Sequence, residues 1–204
     1  LEYLTSEMPA AIKRALGGLE RVAAIVRAMK EFAYTDQSEQ AAADINRAIL
    51  STLTVAHNEY KYVADVTTSL AEIPSVTCHI GELNQVILNI IVNAAHAIET
   101  TVAASERRGT ITVATRATEE TVFIDITDDG CGIPQTHLDK IFDPFFTTKD
   151  IGKGTGQGLA IARSVIVDKH RGKLLVESTV GQGSKFSIQL PISGAPTVAH
   201  AEAA

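Results

Sequence analysis

The chain has 204 residues, 45% hydrophobic and 21% charged. That exceeds a common domain of about 100–150 residues and is apolar enough to bury a core, so one full domain plus an extra element is expected and a mostly disordered chain is excluded. Its 18 Lys and Arg against 24 Asp and Glu leave a net charge of -6, which offers no global positive field to collect nucleic acid.

From the start of the chain, Met8, Ile12, Ala15, Leu19, Val22, Val26, Met29 and Ala33 recur at alternating steps of four and three. This heptad seam predicts a helix over 1–35 that pairs with partner helices to bury its stripe, hence a homodimer through the N-terminal helix. Residues 36–43 are polar and then small, and read as a linker, with Asp44 as the N-cap of a helix over 45–57. A strand over 63–70, a long helix over 80–100 and a hairpin of β-branched strands over 110–117 and 121–128 follow. A glycine-rich segment, 130–158, then leads into a helix over 159–170 and strands over 173–178 and 185–190. This order predicts an α+β fold, a two-layer sandwich whose helices cover one face of a mixed sheet, spanning 44–192. Residues 193–204 lack periodicity and are expected to fray.

Cys78 and Cys131 lack CxxC spacing and are too few for a disulfide framework, so both are expected as free thiols in a reducing compartment, Cys131 packed among apolar side chains. The longest apolar stretch, 86–98, is broken by Asn89, Asn93 and His96 and falls short of the ~20 residues a bilayer requires, so no membrane contact is expected. With Leu1 first and no signal-peptide pattern, the chain is expected to be part of a longer protein.

Three stretches carry the chemistry. On the helix of LNQVILNIIVNAAHAI, Asn89 and Asn93 share a face with His96 one turn on; a carboxamide oxygen suits Mg²⁺, and the alternative is a pair of surface amides bonded to a neighbouring loop. In ITDDGCGIP, Asp128 ends a strand where its carboxylate can accept from an exocyclic amine, and Gly130 and Gly132, with Ile133 beyond, let backbone approach a flat ring; an ordinary tight turn has the same wording. In IFDPFFTTKDIGKGTGQGLAIA, Gly152, Gly154, Gly156 and Gly158 alternate into a helix beginning at Leu159, so several N–H groups can converge on an anion. Lys149 and Lys153 stand ready for phosphate or for solvent, and Phe142, Phe145 and Phe146 are expected to pin this mobile flap to the body.

The order of these stretches, closed by GQGSKF, resembles the N, G1, F, G2 and G3 boxes of the histidine kinase catalytic domain in the GHKL superfamily of ATP-binding proteins. The resemblance covers about 44–191, and the helix before it resembles the second helix of the dimerisation and phosphotransfer hairpin. It implies a Bergerat fold, ATP and Mg²⁺ as cofactors, Asn93 as the Mg²⁺ ligand with Asn89 one turn before it, and His96 near phosphate. It also implies that Asp128 bonds the adenine amino group, that Gly130, Gly132 and Ile133 line the ring, and that Phe142, Lys149, Lys153, Gly154, Thr155, Gly156, Gly158 and Leu159 belong to the flap and its hinge. The implied partner is the receiver domain of a response regulator, and the implied location is the cytoplasm, with a parent protein that can be membrane-anchored.

One departure changes the expected activity. None of His57, His79, His96, His137, His170 and His200 stands on an N-terminal seam before an acidic residue, so the phosphoacceptor is expected upstream, and this chain alone is expected to bind ATP without phosphorylating itself. Hydrolytic relatives such as gyrase, the mismatch-repair ATPases and the heat-shock chaperones place a Glu where Asn89 stands, and so do the serine-directed kinases; an amide cannot serve as general base for water. A third reading is a nucleotide-binding dimerisation scaffold without transfer.

Overall fold

The computed structural model describes residues 40–102, 107–148 and 156–194. The heptad helix, most of the linker and tail, and Lys149, Lys153, Gly154 and Thr155 lie outside the described residues.

A five-stranded sheet, in the order β2-β4-β5-β7-β6, is built from β2 (Ala64–Leu70), β4 (Gly109–Ala117), β5 (Thr121–Asp128), β6 (Lys173–Thr179) and β7 (Gly183–Pro191). Every pairing is antiparallel except β2 with β4, where Ala64 faces Gly109 and Leu70 faces Thr115. A parallel pair needs a crossover, and the long helix α2 (Ile80–Val102) supplies it. That is why α2 lies across the sheet. Leu83, Val86, Ile87, Ile90, Ile91, Ala94 and Ile98 recur at helical spacing on its buried face, each large one contributing roughly 1.5–3 kcal/mol on burial. They meet Ile111, Val113, Ile124, Ile126, Ile188 and Leu190, the inward-pointing alternation of three strands. Helix α1 (Ile45–Tyr60) packs beside α2, and the Asp44 side chain caps it by accepting from the Arg47 N–H at 3.0 Å. Helices therefore cover one face of a mixed sheet, as expected of an α+β sandwich.

Four local features depart from the sequence expectation. Helix α1 runs one turn past His57 to Tyr60, whose half-buried hydroxyl donates to the Leu53 carbonyl at 3.1 Å. Ala41–Ala43, read as the end of the linker, form β1 and pair with β3 (Val76–Cys78); three alanines carry no strand signature, so only the partner reveals the strand. A short helix, α3 (Gln135–Leu138), interrupts the glycine-rich segment. The helix expected over 159–170 is α-helical as α4 (Gly158–Arg163) and then widens to π winding over Ser164–Lys169. Its cause is His170, whose backbone N–H and ring Nδ1–H both reach the Val165 carbonyl, at 3.2 and 2.7 Å.

Both cysteines are free thiols. Cys78 is buried, and burial pushes its thiol up to about 12. Cys131 is exposed, which corrects the expectation of apolar packing: its backbone ties down, its N–H donating to the Ala97 carbonyl at 3.1 Å, and its side chain turns outward. No described helix is long and apolar enough to cross a membrane.

Candidate functional site

Helix α2 organises the site. Its buried face is spent on the sheet, which leaves Asn89, Asn93 and His96, all half-buried, along the flank facing the loops. At one end of this row stands the end of β5. Gly130 passes so close to α2 that a Cβ there would lie 2.6 Å from the Ala97 carbonyl carbon and 2.7 Å from its methyl, so only glycine lets this turn reach the helix. At the other end the Asn89 side-chain NH₂ donates to the carbonyl of Gly158, the first residue of α4, at 3.3 Å. Ala97 and Asn89 are eight residues apart on one helix, about 12 Å. The strand end and the start of α4 thus meet the two ends of one helix flank, with Asn93 and His96 between them, and this flank is the candidate cleft.

Asp128 ends β5 with 5% of its surface exposed. Its carboxylate accepts the Gly130 N–H at 2.9 Å and a second backbone N–H from Ser184. Burial pushes its carboxyl up to about 6, against the pull of these two donors, and the neighbouring Asp129 adds a smaller rise. Asp129 itself faces away, accepting from Thr110 N–H and Arg107, both at 2.7 Å. The two adjacent carboxylates are therefore divided by role, one buried at the cleft and one bracing the strand. Gly132 and Ile133 run on beside β6: the Thr179 carbonyl occupies the space a Cβ of Gly132 would need, and the Ile133 N–H donates to Ser178 Oγ at 2.8 Å.

The phenylalanine loop behaves differently at each ring. Phe142 and Phe146 pack against the core, and the Arg163 guanidinium stands 5.4 Å from the Phe142 ring centre. Phe145 is 71% exposed and sits at φ 68°, so it does not pin the flap with its ring as expected. Its backbone does so instead: the Phe145 N–H donates to the Gly156 carbonyl at 2.9 Å. Gly156 has φ 63°, and a Cβ on it would collide with the Phe145 backbone. Leu159 packs against the core just after Gly158.

Sequence reasoning missed Gln85. Its side-chain NH₂ donates to Asn89 Oδ1 at 3.0 Å, so the Asn89 amide is engaged at both ends, by Gln85 and by Gly158. The i, i+4 step from Gln85 to Asn89 was the available signal.

Residues 79–194 match the family described as histidine kinase-, DNA gyrase B- and HSP90-like ATPase. The chain is 44% identical over 111 residues to the sensor histidine kinase ZraS of Salmonella typhi, covering 54% of this chain and 22% of that protein. It is 33% identical over 180 residues to the ZraS of Klebsiella oxytoca, covering 86% of this chain and 36% of the relative. It thus spans about a third or less of these relatives' length. Among solved structures, the catalytic domain of histidine kinase ThkA aligns at a TM-score of 0.65 and 28% identity, over 76% of this chain and 99% of that one. A matching family over most of the described residues, sensor kinases as relatives and a kinase catalytic domain as structural neighbour agree with the cleft, and the chain belongs to the histidine kinase-, DNA gyrase B- and HSP90-like ATPase family as a catalytic domain of the histidine kinase type.

Proposed function

We propose that this domain binds Mg-ATP in the cleft along α2 and transfers the γ-phosphate to a histidine on a dimerising helical hairpin, for relay to an aspartate of a response-regulator receiver domain. The observation that carries the reading is the buried Asp128 carboxylate, shaped by two backbone donors, at the end of a helix flank that bears two carboxamides. Asp128 accepts from the adenine amino group, with Gly130, Gly132 and Ile133 beside the ring. Asn93, His96, Gly158 and Leu159 stand toward the phosphates, and Lys149, Lys153, Gly154 and Thr155 complete the flap.

The donor chemistry fits Mg²⁺ arriving with nucleotide. Among the described residues no three His, Cys, Asp or Glu gather into a metal site, and an amide oxygen is a fitting ligand for an ion held mainly by phosphates and water, the part proposed for Asn93. Bound there, the ion would supply positive charge against the phosphates. The residues of this chain orient the nucleotide and exclude water. Asn89 cannot activate water, which favours transfer over hydrolysis. In this reading the unit works in the cytoplasm and pairs as a homodimer through the N-terminal heptad segment.

The test supplies the full chain with γ-labelled ATP, Mg²⁺ and a separate hairpin polypeptide from a sensor kinase. Acid-labile label on the hairpin histidine is expected, with phosphate release at background in its absence. Bound ATP with no label on any histidine favours the scaffold reading, and acceptor-independent phosphate release favours the hydrolytic one.

A further inference from the structure

Away from the cleft, a second concavity of about 540 Å³ runs along the outer edge of the sheet. Strand β6 is the last strand and pairs with β7 alone. Among the described residues no other backbone group bonds to its outer side from Lys173 to Glu177. The segment that follows β5 starts against β6, where the Ile133 N–H meets Ser178 Oγ and the Gly181 N–H meets the Cys131 carbonyl. It then splays away through α3 to Phe142, opening a wedge whose floor is the strand edge and whose walls carry Leu138, Phe142 and Val167. Leu175 stands 47% exposed beside it.

We propose that this groove docks an extended acidic segment of a partner polypeptide, which adds to β6 as a sixth strand. An unpaired edge with a row of free N–H and C=O groups is a template for one more strand, and a groove beside it selects side chains at alternate positions. The charge of the groove sets the sign of the partner. Arg163 and Lys173 line it with Arg171 just beyond, against the carboxylates of Asp139 in its wall and Glu177 at the far end of the strand edge. None of these three cations forms an ion pair among the described residues. The proposal is independent of the nucleotide reading.

The test titrates the full chain with a fluorescein-labelled peptide of about eight residues, alternating Glu with Val. Two control peptides replace Glu by Lys or N-methylate alternate backbone nitrogens. Saturable binding of the acidic peptide is expected, weaker by about tenfold for either control, with amide NMR shifts concentrated at 172–177. Lys173→Glu is expected to reverse the preference between Glu and Lys peptides, with ATP affinity unchanged. Because the control peptides leave the protein intact, the outcome stands even if a variant folds poorly. Equal binding of the Lys peptide, binding that survives N-methylation, absence of saturable binding, or protection of β6 through concentration-dependent dimerisation each overturns the proposal.

Discussion

Burial raises the Asp128 carboxyl to about 6 while the Gly130 and Ser184 N–H groups hold it in one orientation, so the residue proposed to bind adenine costs the fold. A carboxyl whose folded value lies above its unfolded value destabilises the folded state at neutral pH, and that cost is relieved as pH falls from about 6 toward 3.8. Asp128→Asn keeps an acceptor for Gly130 and removes the buried charge. It is expected to stabilise the nucleotide-free domain by about 1–3 kcal/mol in urea unfolding and to weaken ATP binding by about 1–3 kcal/mol in calorimetric titration. Wild-type affinity is expected to hold above pH 7 and fall below about 6, as protonation replaces an acceptor by a donor; comparison with Asp128→Asn cancels the titration of the phosphates. A variant losing stability and affinity together would assign Asp128 to the fold alone. This residue was legible in the sequence as a carboxylate at a strand end, but its burial was not, because Ser184 reaches it from β7, 56 residues further along the chain.

At the scale of elements, the junction between the phenylalanine loop and α4 stores strain. Phe145 holds φ 68° with its ring 71% exposed, a conformation that costs a bulky residue on the order of 1–3 kcal/mol. Phe145→Gly is expected to raise thermal stability by about 1 kcal/mol, whereas Gly156→Ala, which forces a Cβ against the Phe145 backbone, is expected to lower it by at least that much. Identical melting of both variants and wild type would mean that the junction is slack. The aromatic cluster was visible in the sequence, but its division into two packed rings and one exposed ring depends on a backbone bond from Phe145 to Gly156 that no side-chain pattern encodes. The amide row on α2 was fully legible, since helical spacing alone places Asn89 and Asn93 on one flank. The bond from Asn89 to Gly158 spans 69 residues and needed the fold. The π winding was equally hidden, because it follows from the His170 ring rather than from propensity.

Across the whole molecule, His170 joins two elements that flank the cleft from opposite directions. It is 1% exposed, its Nε2 accepts the His79 N–H at 2.9 Å just before α2, and its Nδ1–H reaches back to the Val165 carbonyl, within the helical run of 158–169 that His170 follows. The bond from His79 requires a neutral ring, since a protonated Nε2 would face another donor, whereas Nδ1–H can donate to Val165 in either state. Glu82 and Lys169 pair across the same junction, and the His79 ring stands edge-on at 5.5 Å. Burial holds the His170 pKa below its usual range against the opposing pull of the Val165 carbonyl, with smaller effects from His79, which lowers it, Glu82, which raises it, and Lys169, which lowers it. A histidine with a depressed folded value contributes stability above about 6.5 that is lost as pH falls below it. Because Asp128 acts in the opposite sense over the same range, the expectation is a difference: from pH 7 to 5 the urea midpoint of wild type is expected to fall relative to that of His170→Gln, and equal slopes would remove His170 from the acid response.

The sequence order of amide helix, acidic strand end and glycine flap was enough to resemble a kinase domain, because each piece is local. Their convergence depends on the parallel β2–β4 pairing that carries α2 across the sheet. The measurement that tests this convergence most directly is a crystal structure of the full chain with Mg²⁺ and a non-hydrolysable ATP analogue. The adenine amino group is expected within hydrogen-bond distance of Asp128, with the phosphates between Asn93 and Gly158. An analogue bound elsewhere, or with its base away from β5, would contradict the account.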